Sequence, residues 1–132
     1  MVQNSTDDAE VDSLRAELAA LTPDPRKVDD HKALIVAQLA LDAIADGNHP
    51  VGAIITNDAG EVVARSANAV FADGFRSSAH AEMLTLDTFE QNPPCAPREA
   101  HMFVLLEPCP MCTGRLPVSY THLRAHETSL HL

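Results

Sequence analysis

The chain has 132 residues, of which 45% are hydrophobic, so it can form one domain of ordinary size around one core. Its formal net charge of −10 at pH 7 disfavours a nucleic-acid partner, because binding to phosphate backbones depends on Lys and Arg. No apolar run is long enough to cross a membrane, the acidic N-terminus does not resemble a signal peptide, and three cysteines do not make a disulfide framework, so we expect a cytoplasmic protein.

Residues 1–28 are predicted to form an acidic extension that contains a short helix. Thr6 can cap this helix, and Pro23 and Pro25 follow its expected end. We expect the helix to dock on the domain that follows, with binding to a partner protein as the alternative. Its apolar residues recur at helical spacing: Val11, Leu14, Leu18 and Leu21.

The predicted domain, residues 29–117, begins with a helix that is buried over most of its surface. Asp29 or Asp30 is placed to cap the helix, and its apolar residues leave only one narrow polar stripe. This pattern is typical of a helix packed against a sheet. Gly47, directly after Asp46, is placed to end it.

Two strands are predicted next, over residues 51–56 and 61–66. The first is an apolar run rich in β-branched residues, the second is predicted as its return strand, and the turn between them, residues 57–60, ends in glycine. The segment therefore predicts a β-hairpin. A loop follows over residues 70–76.

A second helix is predicted from a cap at Ser77 or Ser78 to about Glu90, with His80 and Glu82 in its first turn. A third strand follows over residues 102–106.

The third predicted helix begins at Pro110, because the first helical position tolerates the missing N–H of proline. Pro117 is predicted to stop this helix.

Two short motifs concentrate the metal-binding side chains of the sequence: His80-Ala81-Glu82, and Cys109-Pro110-Met111-Cys112 after Pro108. One imidazole and two thiolates can supply three ligands to a zinc ion. Structural zinc sites usually close with four protein ligands, whereas catalytic sites keep one position open for water. The residues therefore predict a catalytic zinc.

These motifs, together with Pro50 to Ala53 and Asn68, resemble the cytidine deaminase-like superfamily, in particular its guanine, nucleoside and tRNA adenosine deaminases. The resemblance implies an α/β fold in three layers, α/β/α, with a mixed central sheet, here truncated at the C-terminus. It also implies a homodimer in the native full-length protein.

The resemblance further implies roles for individual residues. His80, Cys109 and Cys112 would bind Zn²⁺, and Glu82 would carry protons between water, the substrate ring and the leaving ammonia. Asn68 would hydrogen-bond the base or sugar. Backbone around the substrate pocket would come from Val51, Gly52 and Ala53.

Two further residues invite a functional interpretation, and for both the plainer one is favoured. His49 is interpreted as a solvent-exposed loop histidine, with contact to the substrate as the alternative. Cys95 lies in a proline-rich loop away from the ligand spacing and is interpreted as a bystander thiol.

The chain changes character from residue 118 onward. Residues 118–132 resemble the translation of a transposase-type sequencing-library adapter, so we expect a non-native tail that replaces the rest of the third helix and further elements.

The leading functional hypothesis is zinc-dependent hydrolytic deamination of a small-molecule nucleobase or nucleoside, with guanine or a related aminopurine favoured. Adenosine-to-inosine deamination in tRNA is the nearest competing hypothesis, although the acidic charge disfavours it. The sequence is also compatible with a non-catalytic zinc module and with an inactive truncated fragment.

Overall fold

The computed structural model describes residues 5–106, 109–119 and 124–127, with side chains described for 8–106 and 109–115. None of the helices in these ranges is long and apolar enough to span a bilayer. The elements, in chain order, are α1 Ser5–Ala19, α2 Asp30–Ala45, β1 Gly52–Thr56, β2 Val62–Ala67, α3 Ala81–Gln91, a 3₁₀ turn Pro97–Glu99, β3 His101–Val104, α4 Pro110–Ser119 and β4 Arg124–Glu127.

The four strands form one sheet in the order β2-β1-β3-β4. β1 is antiparallel to both of its neighbours, with Ile54 opposite Arg65 of β2 and Phe103 of β3. β4 runs parallel to β3. The sheet is therefore mixed, as predicted, and the predicted hairpin is confirmed as β1 and β2, with Gly60 at a φ of 82° in the turn.

β1 is buried on both faces of the sheet. Its alternate residues point to opposite sides, and a helix covers each side. Ile54 packs with Val36 of α2 on one face. Ile55 packs with Leu86 and Phe89 of α3 on the other. Burial of each such side chain contributes about 1.5–3 kcal/mol, so helices on both faces stabilise the sheet. The predicted three-layer α/β/α fold is confirmed.

α2 ends where Gly47 adopts a left-handed conformation, with a φ of 79°. The Asn48 N–H donates to the Ala43 carbonyl at 2.8 Å, and the Gly47 N–H donates to the Ile44 carbonyl at 2.9 Å. This pair of bonds is a Schellman motif, which satisfies two of the last carbonyls of the helix. The predicted termination at Gly47 is confirmed.

Two predicted helix boundaries are wrong, and a third is placed correctly but lacks the predicted capping bond. α1 begins at Ser5, so Thr6 lies inside the helix and does not cap it. α2 begins at Asp30 with Asp29 at its N-cap position, as predicted, but the Asp29 side chain makes no capping bond and instead contacts Lys32 Nζ at 3.3 Å. α4 continues to Ser119 because Pro117 lies in its last turn, where one missing N–H does not end the helix.

α1 packs on α2. Val11 is buried, and Arg15 forms an ion pair with Asp42 at 2.7 Å. Leu14 and Leu21 stay exposed, so only part of the predicted apolar stripe is used for docking.

The segment predicted to be a non-native tail contributes β4 to the sheet. Residues 120–123 and 128–132 lie outside the described residues. The origin of this segment stays a prediction.

Gly52 is the position in the core where a side chain would be tolerated least. A Cβ atom there would lie 2.5 Å from Leu39 Cβ and 2.6 Å from the Val36 carbonyl oxygen, both in α2. We expect Gly52→Ala to lower the free energy of unfolding by about 3 kcal/mol or more, because α2 must move off the sheet. Chemical denaturation followed by circular dichroism measures this change.

Gly114→Ala is the matched control, because a Cβ at Gly114 in α4 meets nothing within 4 Å. It should leave stability unchanged or raise it by up to about 1 kcal/mol. Equal stability of the two variants would contradict the packing at Gly52.

Candidate metal centre and active-site cleft

His80 is the residue immediately before α3. Its backbone is extended, with φ −70° and ψ 150°, and its carbonyl accepts the Leu84 N–H at 3.0 Å. The flanking Ala79 and Ala81 are fully buried, which fixes the direction in which the imidazole leaves the chain. The prediction that Ser77 or Ser78 caps this helix is wrong, since the N-cap position is occupied by His80.

The two cysteines come from the start of α4. Cys109 precedes the helix, and its carbonyl accepts the Thr113 N–H at 2.9 Å. Cys112 lies in the first turn and is fully buried. Helix N-termini carry a partial positive charge that favours thiolates, so both sulfurs lie where the backbone supports metal binding.

The three candidate ligand atoms lie close together. Cys109 Sγ is 3.6 Å from Cys112 Sγ, and His80 Nδ1 is 3.4 Å from Cys109 Sγ and 3.6 Å from Cys112 Sγ. Ideal tetrahedral zinc would separate two sulfurs by about 3.8 Å and a sulfur from a nitrogen by about 3.6 Å. The His80, Cys109 and Cys112 cluster therefore fits zinc.

Glu82 lies next to this cluster. It belongs to the first turn of α3, it is 4% exposed, and its Oε2 accepts the Cys112 thiol at 2.8 Å. Burial raises the pKa of the Cys112 thiol, and the Glu82 carboxylate raises it further. A divalent cation opposes both causes, so its binding would displace the thiol proton.

The cluster opens onto a cleft of about 200 Å³, whose lining includes Asn68, His80, Glu82 and Cys109. Asn68 is 5% exposed, and its Oδ1 accepts the Val70 N–H at 3.1 Å, which fixes the amide group. The structure thus brings Asn68 to the same cleft as the metal-binding cluster.

Of the three predicted pocket residues, Val51, Gly52 and Ala53, only the first lies at the cleft. Val51 lines the cleft. Gly52 packs against α2, and Ala53 belongs to the core between the sheet and α3. In the part of the chain that the structure describes, Gly52 and Ala53 therefore do not line the cleft.

Two further residues, His49 and Arg115, lie near the site, and the sequence interpretation considered only His49. His49 lines the cleft while staying exposed, and its ring lies 5.5 Å from the Phe71 ring. This position fits both interpretations of His49, the solvent-exposed loop histidine and the substrate contact. Arg115 joins α4 to α3 through hydrogen bonds and had no signal in the sequence. Cys95 packs against the core, away from the cluster.

Residues 27–121 match the cytidine and deoxycytidylate deaminase zinc-binding region. The chain belongs to this family. The family's zinc-binding region and the fitting cluster together confirm the predicted cofactor, zinc.

This deaminase-family chain is similar in sequence to a curated protein of known activity. A tRNA-specific adenosine deaminase of Bacillus subtilis (strain 168) is 40% identical over 74 residues, or 55% of this chain and 45% of that protein. The chain thus spans less than half the length of this curated relative.

Two solved structures share the fold of this deaminase-family chain. One, from a study of A-to-I editing by tRNA:A34 deaminases at the wobble position, has a TM-score of 0.60 at 28% identity, covering 71% of this chain and 70% of that one. The other, guanine deaminase from Bacillus subtilis, has a TM-score of 0.62 at 22% identity, covering 76% and 65%.

Proposed function

We propose that this chain performs zinc-dependent hydrolytic deamination of a nucleobase or nucleoside and releases ammonia. The observation that carries the proposal is the convergence of two thiols, one imidazole and a buried carboxylate at one cleft. A non-catalytic zinc module would have no use for the carboxylate, and it would need a fourth protein ligand.

His80, Cys109 and Cys112 would hold the zinc. When bound, zinc supplies a Lewis acid that lowers the pKa of water toward neutrality. The two helix N-termini at the site favour the negative charges of the thiolates and of Glu82, so the protein holds these groups ready for the reaction.

Glu82 is proposed as the proton carrier. It takes one proton from water and delivers it to a ring nitrogen of the substrate. It then takes the second proton from the hydroxyl group that has added to the ring and delivers it to the departing amino group. The oxygen of water bonds to the ring carbon that carries the amino group. The carbon–nitrogen bond breaks, ammonia leaves, and a carbonyl remains, so the atoms of water and substrate are all accounted for.

Asn68 and Val51 are proposed to position the substrate ring. Both line the cleft, and the Asn68 amide is fixed by its bond from the Val70 N–H. A fixed amide can select a base by hydrogen bonding without losing side-chain freedom. The backbone of Gly52 and Ala53 stays a predicted contributor to the pocket.

A free aminopurine, with guanine first, is the proposed substrate. The net charge is −10, and at least four of the nine Lys and Arg residues pair with carboxylates. At most five of the nine cations therefore remain to bind phosphates, against 19 acidic residues in the chain. The four paired residues are Arg15, Arg26, Lys32 and Arg115.

Adenosine in tRNA is the second candidate, and the 40% identity to a tRNA-specific adenosine deaminase favours it. That substrate would need a base flipped out of its strand into the same cleft. The predicted homodimer and the predicted cytoplasmic location also stay proposals for the whole protein.

Ammonia release by the zinc-loaded chain tests these proposals. Guanine, adenosine, cytosine and tRNA are supplied separately, each at low and high salt. The first proposal expects turnover of guanine that changes little with salt. Turnover of tRNA alone, falling steeply with salt, would favour the second candidate. A chain that binds zinc and releases no ammonia from any of the four would contradict both.

A further inference from the structure

Arg115 of α4 hydrogen-bonds to three residues of α3. Nη1 donates to the Met83 carbonyl at 3.0 Å, and Nη2 donates to Asp87 Oδ1 at 2.7 Å and to Glu90 Oε2 at 2.8 Å. The Arg115 side chain is 18% exposed, so these bonds are partly shielded from water. Charge-assisted bonds of this kind are stronger than neutral ones.

The position of these bonds relates directly to the metal-binding cluster. Met83 follows Glu82 directly, and Arg115 lies one helical turn beyond Cys112. His80 and Glu82 come from α3, whereas Cys109 and Cys112 come from the start of α4. The relative placement of the two helices therefore sets the distances between the ligands.

Arg115 also supplies a positive charge at the C-terminal end of α3. The last turn of α3 contains no basic residue, although it carries Glu90. A carboxylate at a helix C-terminus is unfavourable because it faces the negative end of the helix dipole. Arg115 supplies the missing positive charge from α4, and its planar guanidinium reaches all three acceptors at once.

We propose that Arg115 is a positioning residue that fixes α4 against α3 and so holds the cysteine pair at zinc-binding distance from His80. The proposal rests on the zinc binding that the proposed function requires, and not on the deamination step itself. Nothing in it requires Arg115 to touch the substrate, since it acts through the helices that carry the ligands.

The test is the zinc affinity of Arg115→Met in the full chain, measured by competition with a chromophoric chelator. We expect the dissociation constant for zinc to rise by about 10-fold, as for other residues that orient metal ligands. The visible absorption of the Co²⁺-substituted variant should also change, since its bands report ligand geometry. Arg115→Lys should recover part of the affinity, because one ammonium cannot reach three acceptors.

Arg15→Met is the matched control. It breaks another interhelical ion pair, Arg15 of α1 with Asp42 of α2 at 2.7 Å, and neither of these helices carries a candidate zinc ligand. Its zinc affinity and Co²⁺ spectrum should equal those of the unaltered chain. Should Arg115→Met fail to fold, the double change Asp87→Asn and Glu90→Gln removes both acceptor charges and is expected to weaken zinc binding likewise.

The positioning role alone is overturned if a folded Arg115→Met chain keeps the zinc affinity and the Co²⁺ spectrum of the unaltered chain. The same holds for the double variant where it replaces Arg115→Met. An unaltered chain that binds zinc tightly and fails to deaminate would overturn the proposed function and leave the positioning role standing. An unaltered chain that binds no zinc would overturn both.

Discussion

Glu82→Gln is expected to lower the turnover number by about 10²- to 10⁴-fold while one zinc stays bound. Glutamine keeps the volume of this buried side chain, and it can still meet Cys112, which Glu82 contacts at 2.8 Å. It cannot accept and return a proton at neutral pH. The turnover number is measured on the substrate that the ammonia assay identifies, and metal content is measured on the same sample.

Glu61→Gln is the control for this substitution. Glu61 is an exposed carboxylate beside the β1–β2 turn, where it pairs with Asn57, at the opposite end of β1 from Val51. The same chemical change there should leave both turnover and zinc content unaltered. Wild-type turnover by a zinc-loaded Glu82→Gln chain would show that another group carries the proton.

The motifs made the metal-binding cluster predictable, because their spacing constrains the local backbone. Cys109 and Cys112 are separated by one helical turn, and Pro110 begins α4 directly after Cys109, as the sequence indicates. Gly47 and Gly60 likewise occupy the left-handed positions that turn chemistry predicts. These features depend on contacts between near neighbours in the sequence.

The start of α3 was not predictable in the same way. Ser77 and Ser78 have side chains suited to capping, yet the chain up to Ala79 is held in a loop by backbone bonds that do not follow helical spacing. The Ala69 N–H donates to the Ala79 carbonyl at 3.0 Å, and the Arg76 N–H donates to the Val70 carbonyl at 2.8 Å. Tertiary pairing thus overrides local capping preference.

Arg115 illustrates the same limit for side chains. Its acceptors Asp87 and Glu90 lie 28 and 25 residues away in the chain, so no helical spacing connects them. The position of His49 at the cleft also depends on the fold, because its neighbour Phe71 is fixed by a 2.7 Å bond from its N–H to Asn48 Oδ1. Pairings of this kind appear only once the helices are packed.

Cys112→Ser is expected to weaken zinc binding by more than about 100-fold, since even residues that only orient metal ligands cost 10- to 100-fold. Serine is a hard, poorly ionised donor, whereas zinc in a cysteine-containing site prefers a thiolate. Cys112 is fully buried and supplies one of the three candidate ligand atoms of the cluster, so the substitution removes a third of the ligand set.

Thermal unfolding with and without zinc separates this loss of affinity from a simple loss of packing. A ligand that binds only the folded state stabilises it by about 2.7 kcal/mol when present at 100 times its dissociation constant. The unaltered chain should gain stability by this amount on addition of zinc. Cys112→Ser should gain almost nothing at the same zinc concentration, whatever its stability without metal.

Cys95→Ser is the matched control, because it makes the same change at a thiol that packs against the core away from the cluster. Its stability without zinc falls if packing matters, but the increment that zinc adds should equal that of the unaltered chain. If Cys112→Ser kept the full increment, the ion would bind elsewhere, and the proximity of Glu82 to Cys112 would no longer place a carboxylate beside the metal. The increment in Cys112→Ser therefore decides whether the proposed proton carrier and the proposed zinc share one site.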